Sequence, residues 1–79
     1  MTEAYYSDIF ELKPCAPVSI PDTDMKTDIR LIGYNECATR FLAKYKLNDS
    51  WQFAVYSYNM ILEEFSIGRR HFIEMMFLR

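Results

Sequence analysis

Apolar side chains recur along this chain at spacings that fit an α-helix. From about Thr27 to Lys46, Leu31, Tyr34, Cys37, Ala38, Phe41, Leu42 and Tyr45 fall on one side of a helical wheel. Asn35, Glu36, Thr39, Arg40, Lys44 and Lys46 take the other side, which is the pattern of an amphipathic helix. Asp22, Thr23, Asp24 and Thr27 can each cap such a helix, and Pro21 suits its start. Gly33 inside the stripe costs about 1 kcal/mol relative to Ala. It therefore admits a variant in which the helix begins near Asn35 and residues 28–32 form a short extended piece.

Leu47-Asn48-Asp49-Ser50 reads as a turn, and the pattern after it predicts a second helix from about Ser50 to Phe65. Trp51, Ala54, Val55, Tyr58, Ile61, Leu62 and Phe65 make a broad apolar face, with Phe53, Tyr56 and Met60 roughly opposite. A helix apolar on two sides is central in its fold or packed on both. Ser66-Ile67-Gly68 ends this helix, with Gly68 as its left-handed C′ residue. A third helix is predicted over Arg69–Leu78. Its apolar residues Phe72, Ile73, Met75, Met76, Phe77 and Leu78 spread almost all round, interrupted only by His71 and Glu74. Such a helix is expected to be wedged between the long helices and a partner, so that losing residues 69–79 destabilises the fold or the oligomer.

The N-terminal end is different. Tyr5, Ile9 and Leu12 stand at helical spacing beside Tyr6 and Phe10, which offers either a short helix capped by Thr2 or Ser7, or an extended arm. Pro14, Pro17 and Pro21 then exclude a helix from the next stretch. The expected fold is all-α, a single domain spanning residues 1–79. It comprises an irregular arm over residues 1–21 and a helical core over 22–79, with an antiparallel helix pair and a short C-terminal helix.

Composition moves this picture towards association. The chain has 79 residues, of which 51% are hydrophobic and 16% aromatic. A domain this small has too much surface relative to volume to hide so much apolar area alone. Tyr, Phe, Trp and Met are enriched at interface cores, and Met adapts to irregular surfaces. Phe53, Tyr56, Met60, Phe72, Met75, Met76 and Phe77 are the interface candidates, with Tyr5 and Tyr6 beside them, and a homodimer is expected. Two cysteines without a disulfide framework, and a start MTEAYYSDIF lacking a basic n-region, fit a reducing cytoplasm. No apolar run approaches the length of a membrane span.

Charge and chemistry narrow the function. Nine basic and 11 acidic residues give a net charge of -2, which argues against a nucleic-acid footprint on the whole chain. Helix–Ser66-Ile67-Gly68–helix resembles a helix-turn-helix unit in outline, and Arg69, Arg70 and His71 would then meet DNA. The apolar remainder of that helix and the acidic balance weigh against it. Cys15, Cys37 and His71 lack the short paired spacing of a zinc site, and Cys37 on the apolar stripe acts as a small hydrophobe. Glu63 and Glu64 point about 100° apart on a helix and do not form an acid–base pair. No metal, cofactor or catalytic residue is expected. The expected function is a non-enzymatic protein–protein interaction module, a small regulator or inhibitor of the phage or plasmid accessory type. A DNA-associated regulator and a structural subunit of a larger assembly are the alternatives.

Overall fold

The computed structural model describes residues 12–78; the expected helix or arm over the first dozen residues, with Tyr5 and Tyr6, lies outside them. The described chain is not all-α. It runs β1 (Lys13–Ile20), β2 (Lys26–Tyr34), β3 (Arg40–Leu47), β4 (Ser50–Ser57), α1 (Tyr58–Glu64) and α2 (Arg69–Phe77). The strands pair in chain order as an antiparallel meander, and both helices cover one face of it. The architecture is a two-layer α+β sandwich, so the expected antiparallel helix pair is corrected.

The apparent helical stripe over Thr27–Lys46 was built from two strands and the turn between them. Within β3, Phe41, Ala43 and Tyr45 are buried while Arg40, Leu42, Lys44 and Lys46 are less so, which is the two-residue period of a half-buried strand. Leu42 on the open side and the small Ala43 on the closed side blur that period. Asn35 begins the turn between β2 and β3, where its Oδ1 accepts from the backbone N–H of Thr39 (2.8 Å) and Arg40 (3.0 Å). Ala38 takes a left-handed φ of 56° in that turn. Cys37 lies there too and is exposed, rather than on an apolar face.

Asn48 and Asp49, with φ of 52° and 64°, form the two-residue turn between β3 and β4. Positive φ at both central positions matches the right-handed twist of a hairpin. The expected turn is therefore present, but a strand follows it. Cross-strand rows then build the core: Val18, Leu31, Ala43 and Ala54 align across the sheet, as do Tyr34, Phe41 and Tyr56. β1 is a strand despite Pro14 and Pro17, which an edge position tolerates because its outward N–H groups have no ladder partner. Gly33 sits where β1 approaches β2 closely, since a Cβ there would lie 2.9 Å from the Lys13 carbonyl oxygen.

β4 passes into α1 without a loop. Ser57 is the N-cap, its hydroxyl accepting from Met60 N–H at 3.3 Å. The helix ends with Ser66 in the left-handed region (φ 52°). Ser66 N–H bonds to Glu63 O (3.4 Å) and Ile67 N–H to Leu62 O (3.1 Å), which is the Schellman arrangement. Ser66 thus fills the role expected of Gly68. Gly68 is instead the N-cap of α2, with φ -69°, ψ 146° and no side-chain cap.

An L-residue fits those angles, and a Cβ at Gly68 meets nothing within 4 Å. Gly68→Asp should therefore supply the missing cap, oppose Arg69 and Arg70 in the first turn, and restrict the unfolded chain. The cap itself is worth only a few tenths of a kcal/mol over Gly, and the dipole and unfolded-state effects bring the expected gain to about 1 kcal/mol. It should be read as a melting temperature higher by about 4–8 °C, and an unchanged or lower value would count against this cap.

The C-terminal helix, Arg69–Phe77, falls within the expected Arg69–Leu78. Phe72 and Met76 are buried against the sheet, while Phe77 meets Tyr34 edge-on at 5.4 Å between ring centroids. Ile73 and Leu78 remain exposed.

Candidate interaction surface

Covering one face of a sheet with helices leaves the other open. Odd-numbered β4 residues point to that open side: Trp51 lies opposite Lys46, Phe53 opposite Lys44 and Val55 opposite Leu42. Trp51 is 43% exposed and Phe53 56%, a large apolar presence on a solvent face. Arg30 pairs across strands with Lys44. Like charges placed directly opposite each other on one sheet face repel. Among the described residues no carboxylate lies within ion-pair distance of either. Lys46 reaches Asp28 Oδ2 at 3.7 Å. The Lys44 and Lys46 ammonium groups sit 4.4 and 4.9 Å from the Trp51 ring centroid, within cation–π range. A chain of net charge -2 thus gathers three cations around two aromatic rings.

Asp28 belongs to the irregular part of β2. The register between β2 and β3 slips by one residue between Thr27 and Arg30, Asp28 adopts φ 50°, and its N–H donates to Asp22 Oδ1 at 3.1 Å. A bulge of this kind re-aims side chains along its strand; here Asp28 comes within reach of Lys46.

On the covered side a different polar group ties the layers together. Lys26 Nζ donates to the Tyr56 hydroxyl and to Glu64 Oε1, both at 2.8 Å, and lies 4.9 Å from the Tyr45 ring centroid. Burial alone, the largest influence, would lower the Lys26 pKa. Its hydrogen bonds and attraction to Glu64 and Tyr56 together outweigh that and hold the ammonium well above its ordinary value. Burial likewise pushes the Tyr56 hydroxyl up, and Glu64 adds to this against the opposing pull of Lys26. An ammonium held so firmly in its charged form is neither nucleophile nor general base. The cluster is a strut joining β2, β4 and α1.

Of the expected interface residues only Phe53 lies on the open face; Met60 and Phe77 belong to the helices on the covered side. Phe53 and Met60 are exposed and Phe77 is partly so, whereas Tyr56, Phe72 and Met76 belong to the core and Met75 packs against it. Arg69, Arg70 and His71 are exposed in the first turn of α2, where Arg70 Nε pairs with Glu74 Oε1 at 3.4 Å. Cys15 Sγ bonds to Leu31 O at 3.9 Å. No cluster of three or more metal-ligating side chains occurs among the described residues. No described helix is long and apolar enough to cross a membrane.

Arg30, Lys44, Lys46 and Trp51 were not among the expected site residues. The alternations Trp51-x-Phe53-x-Val55 and Lys44-x-Lys46 were the signals that could have found all but Arg30, which joins them only across the β2–β3 register. Compared with known proteins, the chain matches no protein family, no curated protein and no solved structure.

Proposed function

We propose that this chain is a non-enzymatic interaction module, a small regulator or inhibitor that binds a larger protein through the helix-free face of its sheet. The observation that carries the proposal is the set of exposed Trp51 and Phe53 beside the like-charged pair Arg30 and Lys44. Trp and Arg are the side chains that most often dominate binding energy at protein interfaces. Juxtaposed cations without carboxylate partners are relieved by an acidic surface, so the partner patch is acidic with an apolar centre. A single-stranded nucleic acid would also bring negative charge, and it would stack on aromatic rings. The Trp51 ring, however, already carries two lysine ammonium groups, and the chain as a whole is acidic.

Trp51 is the sole tryptophan, so its fluorescence reports directly on this face. A host protein captured by the wild type should shift Trp51 emission on titration. Phe53→Ala should weaken that complex about 30-fold or more, the effect of losing a hot-spot residue of about 2 kcal/mol. Arg30→Glu with Lys44→Glu should weaken it further, while thermal stability stays near wild type. Binding that ignores all three changes would refute the surface. Salt-sensitive quenching by a single-stranded oligonucleotide, with no protein partner, would move the reading to nucleic acid.

A further inference from the structure

The two edges of the sheet are built differently. β1 is interrupted by Pro14 and Pro17, and its register slips between Pro14 and Val18. Proline, bulges and irregular pairing are the usual ways of blocking a strand edge against further pairing. β4, Ser50-Trp51-Gln52-Phe53-Ala54-Val55-Tyr56-Ser57, has no proline, glycine or charged residue. Its pairing with β3 is unbroken from Leu47↔Ser50 to Arg40↔Ser57. Nothing in its own sequence blocks its outer edge.

The hydrogen-bonding groups on that edge follow from the turn. Residues flanking a two-residue hairpin turn exchange both backbone hydrogen bonds, and such pairs alternate along an antiparallel ladder. Ser50, Gln52, Ala54 and Tyr56 therefore bond towards β3. The N–H and C=O groups of Trp51, Phe53 and Val55 point away from it, off the edge of the sheet.

We infer that this edge pairs with β4 of a second copy of the chain, antiparallel about a two-fold axis through Phe53, to make one continuous eight-stranded sheet. The register is self-complementary. It sets Phe53 opposite the partner's Phe53 and Trp51 opposite the partner's Val55, so each outward N–H meets an outward C=O. All three pairs on the open face are apolar, and aromatic and β-branched pairs are the favourable cross-strand neighbours. With no charge anywhere in the strand, the two-fold brings no like charges together, which a charged edge could not avoid. The pairing also doubles the open face, placing two sets of Trp51, Lys44 and Arg30 on one surface.

Light scattering after size exclusion should give twice the 9.4 kDa of the chain, and a monomer at the highest attainable concentration would overturn the inference. The register has its own test in a Cys15→Ser/Cys37→Ser background. Phe53→Cys should oxidise to a disulfide-linked dimer, because residues paired directly across strands lie within disulfide reach. Trp51→Cys should not, since the two copies of that position stand about 13 Å apart along the strands. Equal cross-linking at both positions would refute the two-fold at Phe53. Phe53→Pro removes an outward N–H and no β3 bond, so it should yield a monomer with the wild-type circular dichroism spectrum. If that variant unfolds, the cysteine pair still decides. Arg30→Glu with Lys44→Glu should leave the dimer intact, which separates this edge from the partner-binding face.

Discussion

Replacing Phe72 by Ala is expected to remove about 3–5 kcal/mol of stability, the range for deleting a fully buried aromatic side chain. Phe72 is 0% exposed. Its ring meets Phe41 of β3 at 5.3 Å and Tyr58 of α1 at 5.6 Å between centroids, both nearly edge-on. One side chain thus joins the sheet to both helices, and Ala in its place leaves a void that neither layer can close alone. A 79-residue domain has a total stability of only about 4–12 kcal/mol. The loss is therefore about a quarter of it or more, and thermal denaturation should show a fall of more than about 12 °C or no folded baseline at all. Ile73→Ala, one residue further along the same helix and partly exposed, should shift stability by no more than about 0.5 kcal/mol. Similar losses at the two positions would mean that α2 does not dock through Phe72. Removing residues 69–79 should be at least as damaging as Phe72→Ala, because Met76 leaves the core with it.

The C-terminal helix was legible from the Ser66-Ile67-Gly68 break before it and its uninterrupted run of helix-compatible residues, not from a period, since its apolar residues spread almost all round. The strands were not, and the reason is physical. A sheet with one bare face that still carries Trp51, Phe53, Val55 and Leu42 does not alternate cleanly between apolar and polar. Two-sided apolar strands resemble buried helix segments in periodicity. The discriminating signals were of other kinds: aromatic and β-branched enrichment in Trp51–Tyr58, and an Asn-Asp pair between two apolar runs, which is hairpin chemistry. Both Asn48-Asp49 and Ser57 also suit helix caps, so local turn preference alone pointed two ways. Three register irregularities, at Pro14/Val18, Thr27/Arg30 and Leu31/Gly33, removed what two-residue period β1 and β2 had left.

Expecting surplus apolar surface to seek a partner singled out Phe53 and Met60, both exposed, from composition and spacing. It could not separate them from Tyr56, three residues from Phe53. That separation depends on strand parity: on a helix Phe53 and Tyr56 share a side, whereas on a strand they face opposite ways. Lys44 and Lys46 alternate within one strand, but Arg30 lies on another and joins them only through the register, so no spacing along the chain revealed the set of three.

Lys26→Met is expected to cost about 2–3 kcal/mol at neutral pH, because it deletes a charged donor shared by two hydrogen bonds. The methionine keeps the apolar stem, so the loss isolates the ammonium group. The Lys26 side chain is 19% exposed and that of Glu64 38%, so Glu64 can turn to water once the ammonium is gone. The same cluster dictates how stability depends on pH. Lys26 and Tyr56 both titrate higher in the fold than their ordinary values, so between those values the folded state holds more protons than the unfolded one. Stability then falls with rising pH. The contribution of both groups is fully present below about pH 10, where the unfolded chain is still protonated, and is lost as pH rises through the folded values. Chemical denaturation of the wild type should give a flat contribution from pH 7 to 9 and a decline above 10. In Lys26→Met the decline should be shallower and start from a lower plateau. Tyr56→Phe should remove part of the same slope while keeping the ring against Phe65, 5.5 Å away. An alkaline limb of wild-type steepness in both variants would show that the strut does not link folding to these two protons.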